Sequence, residues 1–218
     1  IVKDGIKRMY ADGEDIFYYI TIMNEKYRMP KMPAKKGIEK EILDGMYKYK
    51  ATRKNENNIN LLGSGTILNE TIKASEVLKN DYNINSDVWS VTSYKNLYDN
   101  AIETERVNQL KNQNSKNHIQ KMVGGKAGIF VAATDYQKAL PLTVAKWFPG
   151  TFTALGTDGF GLSDHRVELR EHFQVSAKHI VWSVLSSLFK QKKIDKKALN
   201  QAKKKLEVDG EKKSPTSI

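Results

Sequence analysis

The chain has 218 residues, 39% of them hydrophobic and 28% charged, with a net charge of +11 and no cysteine. That length suits one full α/β domain with an additional piece. The missing cysteines exclude a disulfide framework, thiolate metal sites and a cysteine nucleophile, and no run approaches the roughly 20 apolar residues of a membrane-spanning helix.

The first residues, IVKDGIKRMY, lack an initiator Met and a signal-peptide pattern and open in mid-helix, as the trailing part of a longer cytoplasmic protein would. Residues 1–12 read as a helix end, and DIFYYITIM (15–23) as a buried strand. Pro30 and Pro33 then disfavour helix and strand alike, which makes a connecting segment. IEKEILDGMY reads as a short helix, MYKYKA as a strand and TRKNENN as a turn.

From Ile59 the pattern is regular. INLLGSG is a strand and loop, and ILNETIKASEVLKNDY a helix with Ile67, Leu68, Ile72, Val77 and Leu78 on one face. SDVWSVTS, GIFVAAT and FTALGT are further strands. Between and after them YKNLYDNAIETERVNQL, DYQKALPLTVAKWF, SDHRVELREHF and AKHIVWSVLSSLFKQKK read as helices, with Pro141 in the early turns of the second. Strands alternating with helices predict an α/β fold with a mostly parallel sheet, helices on both faces and right-handed crossovers.

The charge is uneven. Lys190 to Lys213 holds ten lysines against four acids, a net of +6. Ile194, Ala198, Leu199, Ala202 and Leu206 recur there at helical spacing, so the stretch reads as an amphipathic helix with a solvated lysine face. It has no interleaved aromatic for base stacking, and nucleic acid is not an expected partner.

Open α/β sheets bind ligands at the C-terminal ends of their strands. LLGSGT (61–66) has a place for an anion on helix N-terminal amides, but Leu68 stands where a dinucleotide motif needs its third glycine, and the Lys-Ser/Thr of a P-loop is absent. LGTDGFGLSD (155–164) reads as a strand-to-helix turn: Asp158-Gly159 is a turn pair, and Ser163 or Asp164 suits a helix cap. His165, His172 and His179 recur every seven residues without a metal-site spacing, and Ser64 lies in GSG, outside any G-x-S-x-G elbow.

FYYITIMNEKYRMPKMP, LLGSGTIL, SDVWSVTSYKNL, VAATDY and LGTDGFGLSD occur in one order at one set of spacings. Together they resemble the C-terminal part of the homodimeric pyruvate dehydrogenase decarboxylating component, from about Ile1 to Lys197, with transketolases as broader relatives. The resemblance implies four pieces: residues 1–29, the last helix and strand of the middle, pyrimidine-binding domain; 30–58, a connecting segment; 59–190, a transketolase-type C-terminal domain; and 191–218, a lysine-rich helical tail.

It further implies a full-length enzyme that decarboxylates pyruvate on thiamine diphosphate with Mg2+ and passes the acetyl group to a lipoyl domain of the dihydrolipoyl acetyltransferase core. In that family the cofactor serves as electron sink after carbon dioxide leaves. Its binding motif and active-site histidines belong to upstream domains. No catalytic, cofactor or metal residue is therefore expected in this segment, which would be inert alone. The implied roles are homodimer and domain contacts, with Asn24, Glu25, Tyr27, Ser64, Asp158, Phe160, Ser163 and Asp164 as interface or entrance residues. Arg28, Val107 and Leu162 depart from the family pattern, which wants a His, an aromatic and a basic side chain there. Alternatives are another 2-oxo-acid decarboxylating component, a transketolase fragment, or a non-catalytic interaction module with a basic tail.

Overall fold

The computed structural model describes residues 1–23 and 26–217. Five strands form one sheet in the order β1-β3-β2-β4-β5: β1 (Met46–Lys50), β2 (Ile59–Ser64), β3 (Asp87–Val91), β4 (Gly128–Ala133) and β5 (Gly150–Leu155). The pairs β2–β3, β2–β4 and β4–β5 are parallel, and only β1, on the edge, runs antiparallel to its neighbour β3.

The central strands are buried along their whole length, which is why they read as continuous apolar runs. Alternation divides them between two cores. Ile59, Leu61, Ile129, Val131 and Ala133 point to one face, where they meet α3 (Ile67–Tyr82), α8 (Ala177–Lys190) and α9 (Lys196–Lys205) through Ala74, Leu78, Ile180, Val184, Leu188 and Ala202. Leu62, Trp89, Phe130 and Ala132 point to the other. There they meet α4 (Tyr94–Lys111), α5 (His118–Val123) and the segment Val144–Phe148. The predicted α/β sheet with helices on both faces is present. The tail helix docks by Ala202 with Ile194, Leu199 and Leu206 packed beside it, leaving its lysines to solvent.

Three local expectations are corrected. Residues 15–23 form no strand; the upstream piece is α1 (Val2–Ile6), a π-helical turn (Lys7–Ala11) and an extended segment. A strand needs a neighbour for its N–H and C=O groups, and none of the five strands borders this run. It is held instead by side chains: Tyr18 Oη donates to Asp4 Oδ2 at 2.6 Å, and Tyr136 Oη to Thr21 Oγ1 at 2.7 Å. Its apolar residues are outside, with Phe17 88%, Tyr19 87% and Ile22 88% exposed.

The helix expected over 135–148 shrinks to α6 (Ala139–Leu142) and one 3-10 turn, Ala145–Trp147. Pro141 has no N–H to give, and the Thr143 hydroxyl donates to the Leu140 carbonyl at 2.6 Å, competing with helix propagation. The polar loop 112–117 is followed by an unexpected helix, α5, started by a capping box. Asn117 Oδ1 accepts from the Gln120 N–H, and Gln120 Oε1 accepts from the Asn117 N–H.

Candidate functional site

The C-terminal ends of β2, β4 and β5 lie side by side, and their loops are laced together. Ser64 Oγ, buried at the end of β2, donates to Thr134 Oγ1 at 2.7 Å, and the Tyr136 N–H donates to that same oxygen at 3.2 Å. The Thr134 N–H in turn donates to the Leu155 carbonyl at 3.0 Å. Thr66 Oγ1 donates to Asp135 Oδ2 at 3.3 Å, which holds the Asp135 carboxylate over Gly65. Gly65 has φ +54°, and a Cβ there would come within 3.4 Å of that carboxylate. Asp135, from the loop after β4, thus lays a carboxylate over the loop 61–66 where an anion would have to sit, and Coulomb repulsion argues against the anion cup.

The turn 155–164 continues the lacing. Thr157 N–H donates to the Tyr136 carbonyl at 2.9 Å. Asp158 Oδ1 accepts from the Lys138 N–H at 2.8 Å, and Lys138 Nζ lies 3.4 Å from Oδ2. A side chain at Gly156 would collide with the Tyr136 carbonyl at 2.5 Å, so the strand-end backbones approach as closely as glycine allows. Gly159 has φ +94°, as its place in a turn pair predicts. The expected cap is not made: α7 (Arg166–His172) starts at His165 without a side-chain cap, and Asp164 accepts instead from the N–H of His165 itself.

Sequence-derived candidates therefore fall into three groups. Ser64 and Asp158 are structural clasps between strand ends. Phe160, Ser163 and Asp164 sit on the exposed tip of the turn, Phe160 with 82% of its surface free. Tyr27 lies apart from both, its ring 4.1 Å from the Arg166 guanidinium carbon and 6.0 Å from that of Arg170. Asn24 and Glu25 lie outside the described residues.

Beneath Tyr27 is a cluster that sequence reasoning missed. Glu70, in the first turn of α3, is buried; its Oε1 takes Arg170 Nη1 at 2.9 Å and its Oε2 the Ala177 N–H, first residue of α8, at 3.0 Å. One carboxylate thus ties α3, α7 and α8 together while Arg170 reaches on towards Tyr27. No motif marks such a pairing between residues a hundred positions apart.

Each of the strand-end carboxylates Asp135 and Asp158 is engaged by a neighbouring loop, and among the described residues no three His, Asp or Glu side chains gather as metal ligands. A diphosphate would face Asp135 and Asp158, and a magnesium ion would lack an oxygen cluster, so these residues do not fit a thiamine diphosphate–Mg2+ site. Among the described residues no helix is long and apolar enough to cross a membrane. A cleft of about 550 Å3 beside the α8–α9 turn is lined by Phe189, Lys190, Lys192, Lys193, Ile194 and Asp195; its one carboxylate is occupied as the cap of α9, accepting from the Ala198 N–H at 2.7 Å.

Comparison with known proteins gives this arrangement a family. Residues 45–176 match the transketolase-like TK C-terminal domain, and residues 1–30 match the pyruvate dehydrogenase E1 component middle domain. Over 219 residues the chain is 42% identical to the pyruvate dehydrogenase E1 component of Buchnera aphidicola subsp. Schizaphis graminum, covering 99% of this chain and 24% of that protein. It is 39% identical to those of Pseudomonas aeruginosa, at 99% and 25% coverage, and Escherichia coli K12, at 99% and 24%. The chain thus spans about a quarter of the curated relatives it matches. Transketolase from Leishmania mexicana superposes at a TM-score of 0.47 with 16% identity, over 67% of this chain and 18% of that one. The chain belongs to the transketolase-like C-terminal domain family, carrying at its front a piece of a pyruvate dehydrogenase E1 middle domain.

Proposed function

We propose that this chain is the C-terminal portion of a pyruvate dehydrogenase E1 component and that its work there is contact rather than chemistry. The full-length enzyme would decarboxylate pyruvate on thiamine diphosphate with Mg2+ in the cytoplasm, as a homodimer. It would hand the acetyl group to a lipoyl domain of the dihydrolipoyl acetyltransferase core. This portion would supply domain and subunit contacts and part of the active-site entrance, with Ser64 and Asp158 fixing the strand-end loops and Phe160, Ser163 and Asp164 on the entrance turn.

The observation that carries this reading is the apolar surface of residues 16–23. Phe17, Tyr19 and Ile22 are almost fully exposed in a stretch that matches the middle domain. Large apolar side chains gathered on a surface mark an interface. Tyr136 holds Thr21 of that stretch against the strand ends, and Arg166 on α7 faces Tyr27 beyond it, at the same end of the sheet that bears Phe160 and Leu162.

Two titrations run side by side test it. This chain and the full-length enzyme are each titrated calorimetrically with thiamine diphosphate and Mg2+, and each is assayed for pyruvate-dependent dye reduction. The expected result is heat and turnover from the full-length enzyme and neither from this chain. Turnover by this chain, or none by the full-length enzyme with any 2-oxo acid, would overturn the reading. Turnover with a different 2-oxo acid would move the substrate but keep the role.

A further inference from the structure

The last residues of the chain fold back past α8 and the C-terminal end of α7 to the turn that precedes α7. After α9, Lys178 Nζ donates to the Glu207 carbonyl at 3.2 Å, and Lys212 Nζ donates to the Glu171 carbonyl, near the C-terminal end of α7, at 2.8 Å. The chain then reaches the turn that precedes α7. Pro215 is buried there, and its backbone lies so close to Gly159 that a Cβ on the glycine would stand 2.6 Å from the Pro215 oxygen and 3.2 Å from its carbonyl carbon. Its own turns give the segment a fixed shape: the Glu211 N–H donates to Asp209 Oδ1 at 2.8 Å, and the Ser217 N–H to the Ser214 carbonyl at 2.9 Å.

Two neighbouring residues of the turn are therefore clamped from opposite partners, Asp158 by Lys138 and Gly159 by Pro215. Beyond them the tip carrying Phe160 and Leu162 is exposed. A glycine at positive φ is the residue type that allows this backbone-on-backbone approach, since any side chain would meet both the strain and the proline.

We propose that residues 209–217 are a positioning strap for the turn 155–164: the tail holds the turn in place and so sets where Phe160 and its neighbours are presented. That the turn borders an active-site entrance rests on the proposed function above; that the tail positions the turn does not.

The test uses the full-length enzyme with and without the residues after Asp209, together with the single variant Lys212→Ala, which keeps the tail but removes its hold on α7. Hydrogen exchange is followed at the two amides that join the turn to the neighbouring loop, the Lys138 N–H donating to Asp158 and the Thr157 N–H donating to the Tyr136 carbonyl. Removal of the tail is expected to speed these two amides about tenfold, and Lys212→Ala by less, with the β4 amides Ile129–Ala133 unchanged. Adding a peptide of sequence 209–218 to the truncated enzyme is expected to restore protection.

Unchanged exchange at Lys138 and Thr157 overturns the strap. Equal acceleration in β4 also overturns it, because the tail would then be a general brace. The same preparations are assayed with pyruvate and lipoyl domain. A raised KM for the lipoyl domain at unchanged kcat supports the strap acting at an entrance. Loosened amides with unaltered turnover keep the strap and remove the entrance from the proposed function.

Discussion

Arg170 and Glu70 lie 2.9 Å apart, the arginine on α7 and the carboxylate on α3, with 13% and 8% of their side chains exposed. Burying a charge is tolerable only while its partners are in place, and breaking such a pair leaves the other charge stranded. Arg170→Ala is expected to destabilise the domain by about 3 kcal/mol, measured by urea unfolding. The double variant Arg170→Ala with Glu70→Gln is expected to cost clearly less than the two single changes together, since the buried carboxylate is then neutral and its other cation, Lys73 Nζ at 3.1 Å, is largely solvated. Additive effects would show that the pair is not coupled.

Burial pushes the His179 imidazole from 6.5 down to about 4, with Glu171 pulling it up and Lys178 and Lys212 pushing it further down. Its Nδ1 is 2.9 Å from Ser176 Oγ and its Nε2 3.7 Å from Glu171 Oε1. A base whose folded pKa is depressed binds its proton first in the unfolded chain. Its contribution is thus complete above about pH 6.5 and lost as the pH falls towards 4. We expect unfolding free energy to drop by about 1–2 kcal/mol between pH 7 and pH 5, the nearby Glu171 carboxylate limiting the loss. His179→Gln is expected to remove that part of the slope, and an identical pH profile in the variant would refute the assignment.

Gly63 stands where β2 meets α3. A Cβ there would fall 2.6 Å from Thr71 Oγ1 and 2.7 Å from the Leu68 Cα, so backbone as well as side chain would have to move. Gly63→Ala is expected to cost about 2–3 kcal/mol through overpacking, seen as a lower thermal midpoint. Gly125, where an added methyl would meet no atom within 4 Å, is the matched control and is expected to tolerate alanine.

Tyr94 begins α4 with its ring in the core and its hydroxyl buried without a hydrogen-bond partner among the described residues. Burial raises its pKa well above the usual tyrosine value, so the group stays neutral and unpaired. Deleting an unsatisfied hydroxyl removes a desolvation cost while keeping the ring. Tyr94→Phe is expected to be neutral or stabilising by up to about 1 kcal/mol in denaturant titration. A loss of stability would mean that the hydroxyl is satisfied in solution.

What the sequence made legible follows from where physics is local. The helix read over 67–82 has the bounds of α3, with Ile67 and Leu78 in the core as expected and Ile72 outside it, and the apolar runs at 59, 87 and 128 are the buried parallel strands. Periodicity suffices for α3 because it meets one core, and unbroken apolarity suffices for the strands because both their faces are buried. It misled over 15–23, where β-forming residues lack a neighbouring strand, and over 135–148, where Pro141 and Thr143 break a helix that composition favoured. Helix α5 was missed because its signal is two reciprocal hydrogen bonds of Asn117 and Gln120 within a run that reads as polar loop. The site divided similarly. Asp158-Gly159 was visible as a turn pair, but that Lys138 and Pro215 grip it depends on chain brought from far away.

The antiparallel edge has a kinetic meaning as well. The parallel pair β2–β4 must bring Ile59 to Ile129, whereas β2–β3 joins Asn60 to Asp87 across a single helix. Shorter loops close at lower entropic cost, so β2–α3–β3 and the β4–β5 pair, which joins Gly128 to Gly150, are the two units that close first, with β1 added beside β3. The strand that departs from the parallel rule thus needs a shorter closure than the central β2–β4 pair, and the slow step of folding belongs to the long return that brings β4, already paired with β5, to β2.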